Sequence, residues 1–154
     1  EVGGLDAALA GALAELVESL LAKQAREAVS LANKAGLVVS GFDKVEAAIG
    51  RGPVRVVVHA SDAAADGVRK LSQALKRRFG ESAAVEMTLR GLNFEELGLA
   101  LGRSHVIHAA LLDGPASRLC VARLRILERY RTGKTDRDIP DHPGHEDGKP
   151  LGQS

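Results

Sequence analysis

Along residues 5–34, apolar side chains recur every three or four positions, the spacing of one face of a helix. The larger side chains come first and smaller ones follow: Leu9, Leu13, Leu16, Val17, Leu20 and Leu21, then Ala25, Ala28, Val29 and Ala32. Gly36 is a typical stop signal for a helix. The pattern predicts one long helix or two shorter ones, and we interpret this segment as scaffold because it contains no chemical motif.

The pattern changes to strand, helix and strand between residues 37 and 62. Residues 37–39 are apolar and include two β-branched valines, which is typical of a short strand. Ser40-Gly41 ends this strand. Apolar residues at helical spacing predict a two-turn helix over 42–49, with Ser40 as its cap. The run of valines at 54–58 predicts a strand buried on both faces, in the middle of a sheet.

Helices and strands continue to alternate through the rest of the chain. We predict helices over 68–78, 94–101 and 115–131, and strands over 84–89 and 106–112. Their start signals are Asp62 or Asp66 for the first helix, an Asn93–Glu96 capping box for the second and Pro115 for the third. This order predicts a three-layer α/β/α sandwich around a mixed sheet of about four strands.

Composition narrows the class of protein. At 154 residues the chain fits one domain, and with 3% aromatic residues its core must be aliphatic. The single cysteine, Cys120, excludes an internal disulfide, is interpreted as a core residue and fits a reducing cytoplasm. No apolar run predicts a membrane span or a leader, although the first residue is Glu, which indicates a fragment of a longer chain.

Charge is distributed unevenly along the chain. Residues 51–131 hold 14 basic and 8 acidic residues, although the whole chain has a net charge of only +1. This bias fits a polyanionic partner without requiring one. The segment 132–154 is rich in proline, glycine and charge, and we predict a disordered tail in which His142 and His145 are solvated.

Two segments resemble the kink-turn RNA-binding superfamily of ribosomal proteins seven-Ae and thirty-e, which includes the bacterial YlxQ-like proteins. KAGLVVSGFDKVEAAIGRGPVRVVVHASDA (34–63) resembles its opening half, and ELGLALGRSHVIHAALLDG (96–114) resembles its second hallmark. The resemblance covers residues 22–131, with 1–21 as a separate N-terminal helical segment. It is closest to the C-terminal domain of bacterial YlxR-like proteins, described as nucleic-acid-binding and implicated in transcription termination.

The resemblance implies an RNA surface built from two parts. The family's contacts fall on the helix start at Ser40, Gly41, Phe42, Asp43 and Lys44, and on the loop Arg103, Ser104 and His105. The residues themselves indicate an anion-friendly helix start and a basic loop. We expect the two sets to lie close together, with Phe42 mainly in the core.

The chain departs from the family at the position that reads the RNA. Archaeal and eukaryotic members carry Asn-Glu where this chain has Asp43-Lys44, and a family lysine one turn further on is Ala47 here. A carboxylate accepts hydrogen bonds from guanine N1 and N2, whereas lysine can only donate, to O6 or N7. Recognition through phosphates and a splayed base is therefore favoured over reading of a standard kink-turn.

These observations predict a non-enzymatic RNA-binding domain, with structured RNA and the transcription or ribosome machinery as partners. The alternative is a protein-interaction scaffold, with nucleic acid bound by an absent YlxR-like domain; the scarcity of aromatic residues favours it. His59, Ser61 and Asp62 form an enzyme-like set without a nucleophile elbow, and we expect His59 to have a backbone partner. We predict no catalytic residue, metal, cofactor, small-molecule substrate or membrane contact.

Overall fold

The structure is a computed structural model that describes residues 2–133. Within this range the helices are α1 (Val2–Lys34), α2 (Phe42–Arg51), α3 (Ala65–Phe79), α4 (Glu81–Glu86), α5 (Phe94–Ala100) and α6 (Pro115–Thr132). The strands are β1 (Val38–Ser40), β2 (Val54–His59), β3 (Thr88–Leu89) and β4 (His108–Leu112). The predictions on residues 134–154, including the disordered tail and its two histidines, lie outside the described residues.

The strands form one mixed sheet in the order β1-β4-β2-β3. β4 pairs antiparallel with β1 and β2, and β3 runs parallel to β2. Val56 and Val58 pack with α1, α5 and α6 on one face, while Val54 and Val57 pack with α2 and α3 on the other. The predicted α/β/α sandwich and the central position of 54–58 are therefore confirmed.

α1 is one continuous helix, and its two halves differ in what they bury. The small residues of its second half lie in the core against α5 and α6: Ala22, Ala25, Ala28, Val29 and Ala32. The large residues of its first half, in contrast, are exposed by 42–73%. The scaffold interpretation thus holds for the second half only, because the first half turns its large apolar side chains away from the domain.

The strand predicted over 84–89 is wrong for most of its length. Residues 81–86 form α4, and only Thr88 and Leu89 pair with β2. Gly80 adopts a φ of 90°, which ends α3 and lets the chain restart as a helix. Val85, which lies within the predicted strand, is 65% exposed on this helix. Short apolar runs do not distinguish helix from strand.

The other boundaries follow the predictions closely. The Asn93–Glu96 capping box and the proline in the first turn of α6 are confirmed. α6 extends one residue beyond the predicted end, to Thr132, and the last strand begins at His108 rather than at Val106. None of the helices within residues 2–133 combines the length and apolarity needed to cross a lipid bilayer.

Two predicted helix caps are wrong. α2 begins after Gly41 with no side-chain cap, because Ser40 is still the last residue of β1. α3 begins after Ala64, also without a side-chain cap. Asp62 instead accepts a hydrogen bond from the Phe94 amide at 3.0 Å, and so assists the start of α5.

Candidate functional site

One end of the sheet brings together most of the residues predicted for the site. β1 and β2 finish there and β4 begins there, because β4 is antiparallel to both. Ser40 is paired with Ala109, and His59 is paired with His108. The start of α2 and the loop that precedes β4 must therefore meet at this end.

A cleft of about 360 Å³ lies where they meet. Its lining residues are Ser40, Gly41, Phe42, Arg103, His105, Val106, Ile107 and His108. Five of the eight residues expected at the site are thus brought together. Asp43, Lys44 and Ser104 are exposed nearby in sequence but do not line the cleft. Val106, Ile107 and His108 were not predicted at the site, because the sequence pattern assigns them to a strand.

The start of α2 gives the cleft a wall of backbone groups. Gly41 has φ 97° and ψ 147°, a conformation that only glycine adopts readily. Its N–H donates to the carbonyl of His108 at 3.0 Å, which ties the helix start to β4. The next N–H groups have no intrahelical acceptors and no side-chain cap, and together with the helix dipole they favour an anion.

The opposite wall is the loop after α5, and Gly98 sets its position. The Arg103 N–H donates to the Gly98 carbonyl at 2.8 Å. A Cβ on Gly98 would lie 2.8 and 2.9 Å from the carbonyl oxygens of Arg103 and Ser104. Only glycine permits this approach. The exposed Arg103 side chain has no hydrogen-bond or ion-pair partner within residues 2–133, so its guanidinium is free for a ligand.

Aromatic rings stand beside both walls. The half-buried Phe42 ring meets the His108 ring edge-on with centroids 6.0 Å apart. On the loop side, the Phe94 and His105 rings are 4.9 Å apart. Phe42 therefore does two things: it packs beside the core formed by Val45 and Ile49, as expected, and it also forms part of the cleft surface.

A buried histidine pair lies beneath the site, with His108 lining the floor of the cleft and His59 behind it. His59 Nδ1 lies 2.9 Å from His108 Nδ1, so one nitrogen donates and the other accepts. Burial, then the neighbouring His108, then Arg90 lower the pKa of His59 from 6.5 to about 4. Burial, then Arg90, lower the pKa of His108. Both rings are therefore neutral at pH 7, and the expected backbone partner for His59 is wrong.

No hydrogen bond joins the three residues of the enzyme-like set to one another in the described part of the chain. His59 is bonded to His108, and Asp62 accepts from the Phe94 amide, while Ser61 is exposed. Over the described part of the chain, no three His, Cys, Asp or Glu side chains are grouped so that they could hold a metal ion. Cys120 lies in the core, where burial raises the pKa of its thiol to about 12.

Comparison with known proteins supports the fold. No protein-family model and no curated protein matches the chain. A Bacillus halodurans protein of unknown function is similar in structure, with a TM-score of 0.57 at 22% identity over 66% of this chain and 97% of that one. A Giardia lamblia 15.5 kD RNA-binding protein has a TM-score of 0.49 at 16% identity, over 71% of this chain and 89% of that one. The first likeness shows a shared fold alone, and the second is too weak to bear on function.

Proposed function

We propose that this domain binds structured RNA in the cleft between the start of α2 and the loop 103–107, without catalysing a reaction. The observation that carries the proposal is the meeting of two anion-binding features in one cleft. The uncapped N–H groups of α2 form one wall, and the unpaired guanidinium of Arg103 stands on the other.

The shape of the cleft favours RNA over a free anion. A volume of about 360 Å³ accommodates a nucleotide rather than a lone phosphate. Phe42, His105 and the exposed Ile107 offer flat or apolar surfaces on which a splayed base can rest. The resemblance of residues 34–63 and 96–114 to RNA-binding ribosomal proteins points to the same two walls.

The mode of recognition is proposed to be phosphate contact plus base stacking. Lys44 and Asp43 stand on the first turn of α2, outside the lining of the cleft. They can reach nucleotides that flank the bound one, with Lys44 as a donor to phosphate or guanine. In its natural setting the domain would then serve a bacterial nucleic-acid-binding protein linked to transcription termination or the ribosome.

Binding of a structured RNA across a range of salt concentrations tests the proposal. Arg103→Ala should weaken binding by about 1 kcal/mol and reduce the salt slope by about one unit if the guanidinium contacts a phosphate. Arg118→Ala is the matched control, because Arg118 is exposed on α6, beyond the far end of β4, and should bind RNA like the wild type. Equal binding by both variants would exclude the cleft as the site.

Lys44→Glu tests the mode of recognition, because it restores the acidic residue of the archaeal and eukaryotic proteins. Higher affinity for a kink-turn with sheared G·A pairs, relative to other RNA, would mean that this residue alone suppresses kink-turn reading. A uniform loss on all RNAs would identify Lys44 as a phosphate contact. An unchanged affinity would place Lys44 outside the interface.

A protein-interaction scaffold is the second candidate. The exposed large apolar residues on the first half of α1 favour it, since solvent-facing apolar stripes of this length mark association surfaces. Salt-independent or undetectable retention on RNA would support the scaffold over the RNA-binding proposal.

A further inference from the structure

The first half of α1 carries an apolar surface that no other part of residues 2–133 covers. Its members are Leu5, Leu9, Leu13, Leu16, Val17 and Leu20, each exposed by 42–73%. We call this set the leucine face. Positions three or four apart share one side of a helix, so the six side chains form a continuous stripe.

The leucine face points away from the domain. Leu13, Leu16 and Leu20 each stand nine residues, or about two and a half turns, before a buried residue of the same helix. Those buried residues are Ala22, Ala25 and Val29. Half a turn of difference places the leucines on the side opposite the core, so the domain cannot cover them by a small adjustment.

The domain holds this half of the helix from the other side. Tyr130 Oη donates to the carbonyl of Ala14 at 2.8 Å, and Arg131 donates to Glu18 at 3.2 Å. These contacts fix α1 against the end of α6 and leave the leucine face open. A helix so anchored presents a preordered surface, which lowers the entropic cost of association.

The spacing along the leucine face matches a coiled coil. Leu9, Leu13, Leu16 and Leu20 are separated by four, three and four residues, the alternation of core positions in paired helices. The next core position before Leu9 is Asp6, and the next after Leu20 is Lys23. Opposite charges therefore stand at the two ends of one leucine run.

We propose that the leucine face binds a second copy of this chain, with the two α1 helices antiparallel. In that register Leu9 lies opposite Leu20 of the second copy, Leu13 lies opposite Leu16, and Asp6 lies opposite Lys23 at both ends. The interface is self-complementary about a two-fold axis. A parallel pair would instead place Asp6 against Asp6 and Lys23 against Lys23, which is repulsive.

The available area is sufficient for a weak dimer. The leucine face exposes on the order of 500 Å² per chain, so pairing would bury about 1,000 Å² in total, near the lower limit for a specific interface. We therefore expect a dissociation constant of roughly micromolar order. This inference does not depend on the proposed RNA binding.

Sedimentation equilibrium of the full chain from about 5 to about 500 µM tests the proposal. The wild type should be a dimer at the upper end, and Leu13→Lys with Leu16→Lys should be monomeric at every concentration. The control is Leu99→Lys, which changes a 73% exposed leucine on α5 and should dimerise like the wild type. A monomeric wild type, or a dimer that survives the double change, would overturn the proposal.

Charge variants test the antiparallel register without altering the leucines. Asp6→Lys and Lys23→Asp should each weaken the dimer about tenfold at low salt, since each brings like charges together. The double variant with both changes should recover the wild-type affinity, because the pair is restored in reverse. If Asp6→Lys has no effect, or the double variant fails to recover, the antiparallel register is wrong.

Discussion

Acid should destabilise this protein through the histidine pair beneath the cleft, and the effect can be predicted from the structure. His59 is 0% exposed, and its Nε2 is buried without a hydrogen-bond partner in the described residues. Burial, the neighbouring His108 and Arg90 lower the pKa of His59 from 6.5 to about 4. The folded chain therefore resists protonation that the unfolded chain accepts.

Proton linkage gives the sign and the size of the change in the free energy of unfolding with pH. Below pH 6.5 the unfolded chain binds more protons at this position, so the free energy of unfolding falls as pH drops from 6.5 toward 4. The full difference corresponds to about 3 kcal/mol, of which about 2 kcal/mol is lost between pH 7.5 and pH 5. The lowered pKa of His108 adds a loss in the same direction. Above pH 6.5 both states are neutral at His59, and no dependence remains.

Urea unfolding followed by circular dichroism at pH 7.5 and pH 5 measures this loss. The perturbation is His59→Gln, whose amide stays neutral and can still donate to His108 Nδ1, so the variant should lose about 2 kcal/mol less than the wild type on acidification. His105→Gln is the control, since it removes an exposed histidine and should retain the wild-type acid dependence. Equal acid dependence in His59→Gln and the wild type would refute the reasoning.

Two further predictions concern buried positions. Gly98→Ala places a methyl group against two carbonyl oxygens of the cleft loop, so it should destabilise the fold by about 1–3 kcal/mol and weaken the proposed RNA binding. Gly50→Ala is the control, because nothing lies within 4 Å of its Cβ, and it should stabilise α2 by about 0.5–1 kcal/mol. Urea unfolding measures both changes. The Cys120 thiol, with its pKa raised to about 12 by burial, should react with iodoacetamide only as fast as the chain unfolds, and fast labelling under native conditions would contradict this.

The elements that a local pattern defines were predicted well. The valines of β2 indicate a central strand because a run with no polar face needs cover on both sides, and both core clusters meet there. The Asn93–Glu96 pair indicates a helix start because both of its hydrogen bonds form within four residues. Both features can be recognised from neighbouring residues in the sequence.

The features that distant contacts define were missed. The alternation of Val85, Met87 and Leu89 resembles a strand, but residues 81–86 form a helix that places Ala84 in the core and leaves Val85 exposed. The leucine run of α1 predicts a helix and says nothing about which way the leucines face. The leucines face outward because the smaller side chains on the opposite side of the helix pack into the core.

The candidate site contains features of both kinds, some set by a local pattern and some by distant contacts. The glycine turn before α2 and the basic loop before β4 could be recognised in the sequence, but the floor of the cleft could not. His59 and His108 are 49 residues apart, and they meet because β2 and β4 are antiparallel with these two residues opposite each other. In the sequence each residue resembles an ordinary histidine at the end of a strand, because the sequence does not indicate which residues of β2 and β4 lie opposite each other.

The strand register also explains how the two walls of the cleft are held in place. On one side of β4, the pairing with β2 places His59 opposite His108. On the other side, where β4 pairs with β1, the His108 carbonyl accepts a hydrogen bond from the Gly41 amide. β4 therefore positions both the histidine pair and the start of α2. Gly98 separately fixes the Arg103 loop to the end of α5, since the Gly98 carbonyl accepts the 2.8 Å hydrogen bond from the Arg103 amide. Because separate segments fix the two walls, the N–H groups of α2 and the backbone of the Arg103 loop are preordered, so that the RNA phosphate proposed to bind between them would order little protein.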